Sequence, residues 1–283
     1  MRTQLSGKVH LVGAGPGDPE LLTVKAHALI RAAEVVLHDD LVSPAVLALA
    51  GPHAMVINVG KRCGTKNITQ SEINRLMIAS ARRGLSVVRL KSGDPGIFGR
   101  LAEERDALEV AAVPYEIVPG ITAGIAAAAS LGASLTDRRS SSRIVVISAH
   151  RAHENESDEK TDWRGLATNN TTLVIYMPGQ NFSALEKELL DAGLDADTPA
   201  AIVSRASTPD QREFHTTLAK LHEAPHLPAP SILLIGRTLE HAAKSTTQPA
   251  SHPVSLTWES LLEAAEVSIA ATKANENSER RLS

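Results

Sequence analysis

The segment VGAGPGDPELLTVKAHALI, residues 12–30, constrains the fold most tightly. An apolar run at Val9 to Val12 leads into glycines at positions 13, 15 and 17, and the chain then turns into apolar residues spaced by three and four. A strand, a loop whose backbone comes close to a neighbour or ligand, and a helix follow from that order. Asp18 suits the N-cap and Pro19 the first helical position, where a missing N–H costs nothing. The generic reading of such a loop is the dinucleotide fingerprint GxGxxG, with Asp39 or Asp40 as the acidic partner of a ribose. The spacing departs from it, because Asp18 stands where the last glycine belongs. Pro16 and Pro19 also remove amide donors that could cradle a pyrophosphate. On spacing alone a nicotinamide-dependent oxidoreductase stays open.

The same alternation continues. Strands are predicted near Val9 to Val12, Glu34 to Leu37, Ala54 to Val59, Ser86 to Leu90 and Tyr115 to Val118. Helices are predicted over Pro19 to Ala33, Gln70 to Arg83 and Arg100 to Ala111. Such a pattern specifies an α/β domain on a mainly parallel sheet, residues 1–118. After Pro119 and Gly120 comes an Ala-rich helix. Further strands at Ile144 to Ser148, Thr172 to Met177, Ala200 to Ser204 and Ile232 to Ile235 make a second α/β domain, residues 119–243. Arg151 to Asp162 is charged and aperiodic, a surface loop. Residues 244–283 read as a linker and tail, with an amphipathic helix possible over Val254 to Thr272.

Composition excludes several function classes. A net charge of −3 and 2% aromatic residues leave neither the basic field nor the stacking platforms of a nucleic-acid binder. The longest apolar run, Ile121 to Leu135, is too short and too interrupted for a membrane span. The segment MRTQLSGK has charges but no apolar stretch, which predicts no signal or transit peptide and a cytoplasmic location. One cysteine, Cys63, permits no internal disulfide, and the 11 histidines include no HExxH and no Cys/His cluster, so no metal is expected.

Beyond the glycine loop, the blocks EVVLHDDLVS, INVGKRCG, VVRLKSGDPGIFGR, YEIVPGITAGIAAAASLGASLTDR, TLVIYMPGQ and PSILLIGRTL follow in order between residues 8 and 240. This series resembles the tetrapyrrole methylases, and its LVS and VGKR segments resemble the branch that acts on uroporphyrinogen III. The resemblance implies two α/β domains with S-adenosyl-L-methionine in the cleft between them, a tetrapyrrole substrate and a homodimer. The implied reaction is C-methylation of uroporphyrinogen III at C2 and C7 to precorrin-2, on the way to sirohaem or cobalamin. By the same resemblance, Pro16, Ser92, Gly93, Asp94, Ile97, Thr122, Ala123, Met177 and Ala206 bind the cofactor, and Asp39 and Lys61 accept and donate protons.

The chemistry agrees with such a site. Transfer of a methyl group from a sulfonium to a pyrrole carbon needs alignment above all, and a base for the proton that leaves the ring. A substrate with eight carboxylates calls for local cations in an acidic protein, and Arg62, Arg100, Arg138 and Arg139 are the candidates, with Lys61 and Arg143 beside them. Asp40, Ser92, Gly96, Leu101 and Asp137 depart from the resembled pattern inside its own motifs. Two alternatives therefore accompany the leading reading: a methyltransferase of the same fold with another substrate, and a noncatalytic module that binds the cofactor. No dehydrogenase or ferrochelatase module is evident, so the expected protein is a methyltransferase acting alone.

Overall fold

The computed structural model describes residues 7–60, 68–149, 161–179 and 181–241. Cys63, most of the charged segment from Arg151 and everything predicted beyond residue 241 lie outside the described residues. Two five-stranded sheets organise the rest.

The first sheet contains β1 (Val9–Gly13), β2 (Val35–His38), β3 (Met55–Asn58), β4 (Val87–Lys91) and β5 (Tyr115–Val118), in the order β3-β2-β4-β1-β5. Every pairing is parallel, as the alternation with helices requires. Both faces of its centre are buried. Val9, Leu11, Val35, Leu37 and Val87 pack against α3 (Gln70–Arg82) and α4 (Leu101–Val110). Val12, Val36, Val88 and Leu90 pack against α1 (Val24–Ala32) and α2 (Pro44–Leu47). Burial on both faces explains why these strands read as continuous Val and Leu runs.

The predicted helix from Pro19 to Ala33 is divided. Asp18 caps a single 3-10 turn over Pro19–Leu21, accepting from the Glu20 N–H. The chain extends at Leu22, and Thr23 then caps α1 through the Ala26 N–H. A second cap two residues past the first turn lets the chain change direction before the long helix begins.

The second sheet is mixed. It contains β6 (Arg143–Ser148), β7 (Thr171–Tyr176), β8 (Pro199–Ser204), β9 (Arg212–Thr217) and β10 (Ser231–Ile235), in the order β6-β7-β10-β8-β9. Only β6 with β7 is parallel; β10 runs antiparallel to β7 and β8, and β9 antiparallel to β8. Its faces are covered by α5 (Ala123–Ser130) on one side and by α6 (Trp163–Leu166) and α7 (Ser183–Asp191) on the other. The helix that leaves the first sheet after β5 therefore belongs to the core of the second. Gly124 makes this close packing possible, since a Cβ there would fall 2.5 Å from Val174 Cγ1.

Candidate active site

In the first sheet β1 and β4 are neighbours whose connections leave toward opposite edges, β1 to β2 on one side and β4 to β5 on the other. Such a switch point opens a crevice beyond the carboxyl ends of the strands, where open α/β sheets bind ligands. The glycines sit at that point. Gly15 and Gly93 exchange backbone hydrogen bonds, Gly93 N to Gly15 O at 2.8 Å and Gly15 N to Gly93 O at 3.2 Å. A Cβ on Gly120 would lie 2.3 Å from the Gly93 carbonyl and 2.9 Å from the Gly13 Cα. Strand ends β1, β4 and β5 thus meet backbone to backbone, leaving no space for any side chain between them.

Asp94 fastens this junction. One carboxylate oxygen accepts from the Gly120 N–H at 3.0 Å and the other from the Gly96 N–H at 2.8 Å, tying the loop after β4 to the loop after β5. Asp39, half-buried at the end of β2, accepts from the Leu41 N–H at 3.0 Å and from the Ser92 N–H at 3.2 Å. Ser43 caps α2 and donates to the Gly17 carbonyl at 2.6 Å, which anchors the glycine loop from below.

The second sheet completes the crevice. A Cβ on Gly17 would lie 2.7 Å from Thr208 Cγ2, so the loop after β1 rests against the loop after β8, which also carries buried Ala206. The Tyr176 hydroxyl, at the end of β7, accepts from the Gly124 N–H at 2.8 Å and shares a hydrogen bond of 2.6 Å with Thr122 Oγ1. Phe98, from the loop after β4, packs on the Tyr176 ring with centroids 5.1 Å apart. Met177 follows, 46% exposed.

Backbone strain concentrates in the same loops. Among the described residues six non-glycine positions have positive φ, and five of them are Phe98, Arg100, Met177, Arg205 and Ser207. Left-handed backbone costs a non-glycine residue on the order of 1 kcal/mol or more and collects where surrounding structure imposes it for function.

Sequence-predicted residues therefore divide into three groups. Pro16, Ser92, Gly93, Asp94, Ile97, Thr122, Ala123, Met177, Ala206 and Asp39 lie on the converging loops. Arg100, Arg138 and Arg139 are exposed: Arg100 pairs with Glu103 at 2.6 Å, and Arg139 with Asp137 at 2.6 Å. Those hydrogen bonds raise both guanidinium pKa values. Lys61 and Arg62 lie outside the described residues. The departure at Asp40 is structurally absorbed, since its carboxylate accepts from Asn58 Nδ2 at 2.8 Å. Sequence reasoning missed Ser43, Phe98 and Tyr176. Ser43 had a signal in the N-cap pattern Ser-Pro, whereas the other two read simply as aromatics.

The switch point of a parallel sheet, bordered by strained loops of a second sheet, is where an α/β fold of this kind binds a small molecule. Residues 8–222 match the family model for tetrapyrrole (corrin/porphyrin) methylases, and the chain belongs to that family. It is 42% identical over 241 residues to the uroporphyrinogen-III C-methyltransferase of Bacillus subtilis, covering 84% of this chain and 93% of the relative. The crystal structure of uroporphyrin-III C-methyl transferase from Thermus thermophilus complexed with S-adenosyl homocysteine superposes with a TM-score of 0.71 at 40% identity, covering 83% of this chain and 99% of that one. A cobalt precorrin-4 methyltransferase structure superposes at 0.74 with 32% identity, over 82% of this chain and 95% of that one.

Proposed function

We propose that this protein methylates uroporphyrinogen III at C2 and C7 to give precorrin-2, with S-adenosyl-L-methionine as methyl donor. The observation that carries the proposal is the crevice itself. Glycine backbones meet at its base, the loops that border it carry the small side chains of Ser92, Thr122, Ala123 and Ala206, and Ile97 and Met177 on the same loops are 37% and 46% exposed. A cofactor with a flat base and a charged sulfonium, bound at these loops, would cover the strained Met177 that solvent otherwise meets. The relative solved with S-adenosyl homocysteine supports the same reading.

When bound, the donor supplies a methyl group on a good leaving group. The chain's part is then positioning: the Gly15–Gly93 junction and the Asp94 ties hold the loops rigid, so the acceptor carbon can be aligned for in-line displacement. Asp39 takes the proton leaving the macrocycle, and Lys61 returns one or holds a substrate carboxylate. By the same reading Arg62, Arg100, Arg138 and Arg139 receive the substrate carboxylates, Arg139 once it leaves Asp137.

The protein acts in the cytoplasm, and among the described residues no helix is long and apolar enough to cross a membrane. It acts as a homodimer, and Ile117, Ile125, Ile144 and Val146 are exposed apolar side chains that a partner subunit would cover. Sedimentation at micromolar concentration tests the dimer.

Another substrate on the same fold is the second reading, favoured by the match to a precorrin-4 enzyme and by Asp40, an extra carboxylate beside Asp39 that accepts from Asn58. Anaerobic incubation with uroporphyrinogen III and S-adenosyl-L-methionine separates the two. A product heavier by two methyl groups supports the proposal. Absence of product, with S-adenosyl homocysteine bound in a calorimetric titration, moves the assignment to another acceptor.

A further inference from the structure

Beneath the site lies a charge cluster that the proposed reaction does not use. Arg89 and Lys91 alternate along β4 on the face toward α4, and both are at most 5% exposed. Each meets Glu104 of α4, which is fully buried: Arg89 Nε at 2.9 Å and Lys91 Nζ at 2.8 Å. Gln70 of α3 donates to the same carboxylate at 3.3 Å, and Arg89 also donates to the carbonyls of Leu37 and Leu90. Two buried cations therefore share one carboxylate. An excess buried charge is costly unless a second counter-charge lies within reach.

The strand register places a second carboxylate beside Lys91. β2 pairs with β4 in parallel, with His38 opposite Leu90, so the next residues in register are Asp39 and Lys91. Asp39 accepts from the amide of Ser92, the residue after Lys91. We infer that Lys91 is a positioning residue for Asp39: its ammonium, shared between Glu104 and the field of Asp39, holds that carboxylate against the Ser92 amide in the reactive crevice. Burial first, and then Arg89, lower the proton affinity of Lys91, while Glu104 and Asp39 oppose them, as expected for an ammonium that depends on both carboxylates. The aliphatic stem has a separate duty: a Cβ on Gly99 would lie 3.1 Å from Lys91 Cε, so the stem supports the loop that runs to α4.

Lys91→Met separates the two duties. Methionine keeps an unbranched stem under Gly99, and Arg89 with Glu104 remains a one-to-one buried pair. The variant is expected to fold with a melting midpoint within a few degrees of wild type and to bind S-adenosyl homocysteine within about threefold. Its turnover is expected to fall at least about tenfold, and its crystal structure to show the Asp39 carboxylate displaced from the Ser92 amide. The turnover arm rests on the proposed methyl transfer, but the crystallographic arm does not. Wild-type protein without methylated product would sink the substrate reading alone, and the position of Asp39 in Lys91→Met would still decide the role of Lys91. Asp39 unmoved with turnover within twofold overturns the inference. A joint loss of midpoint, cofactor affinity and turnover also overturns it, because it marks general loosening.

Discussion

The two sheets build their share of the crevice by different means. In the first, the loops after β1, β4 and β5 are fixed by glycine backbones in contact, with Asp94 bonded across them. In the second, the loops after β7 and β8 pass through Met177, Arg205 and Ser207, all non-glycine residues with positive φ, and Tyr176 reaches across with its hydroxyl. The first half gains its junction from the absence of side chains and strains non-glycine residues only further along the loop after β4, at Phe98 and Arg100. The other imposes its shape on residues that resist it. The first half should therefore be intolerant of added atoms, and the second should respond to hydroxyl deletion and to relief of strain.

The largest expected effect is in the first half. Glu104→Ala would leave Arg89 and Lys91 buried together without their carboxylate, at a cost of about 3–5 kcal/mol. For a protein of this size the melting midpoint should drop by roughly 10 °C, read by calorimetry. A drop of only a degree or two would mean that water reaches the cluster. Next comes Gly120→Ala, whose added methyl meets carbonyl and Cα atoms rather than flexible side chains. Overpacking of this kind costs about 1–3 kcal/mol, and here it falls on the junction, so S-adenosyl homocysteine affinity should weaken by at least about tenfold. Unchanged affinity would show that the three strand ends can part without disturbing the crevice.

Tyr176→Phe carries the comparison into the second half. It keeps the ring against Phe98 but removes the acceptor for the Gly124 N–H and the partner of Thr122 Oγ1. An unsatisfied amide near the start of α5 should cost about 1–2 kcal/mol, seen as a smaller loss of midpoint than Glu104→Ala. A larger loss than Glu104→Ala would reverse the ranking of the two halves.

How much of this was legible beforehand follows the same division. Glycines at 13, 15, 93 and 120, and Asp18 before Pro19, announce the first half by residue type, because only glycine tolerates such contacts. Strands β1, β2 and β4 show as Val and Leu runs for the reason that both faces are buried. Strand β9, REFHTT, does not show: it is an edge strand whose side chains are mostly polar and only partly buried, so it resembles a loop. Nor did Tyr176 or the positive φ of Met177 leave a signal, since tertiary packing sets both. The buried cluster did leave one that was passed over. Leu101, Glu104 and Leu108 fall at spacings of three and four on α4, which places a carboxylate in the apolar stripe of a helix, and Arg89 and Lys91 share a face with Val87 on the strand it faces.

The smallest effect is also the one that most directly separates imposed shape from built-in shape. Ser207 has φ 60, its amide donates to Gln211 Oε1 at 2.7 Å, and its carbonyl lies close to Gly17. Glycine at this position keeps the amide and the carbonyl and removes the Cβ that resists left-handed backbone. Relief of about 1 kcal/mol is partly offset by the greater freedom of glycine in the unfolded chain, leaving a net gain of roughly 0.5 kcal/mol and a midpoint higher by about 1–2 °C. No such gain is available at Gly93, which is already glycine at φ 68. A loss of stability in Ser207→Gly would mean that the serine side chain, and not the surrounding loops, holds this turn in place, and the second half would then be built by residue type as well.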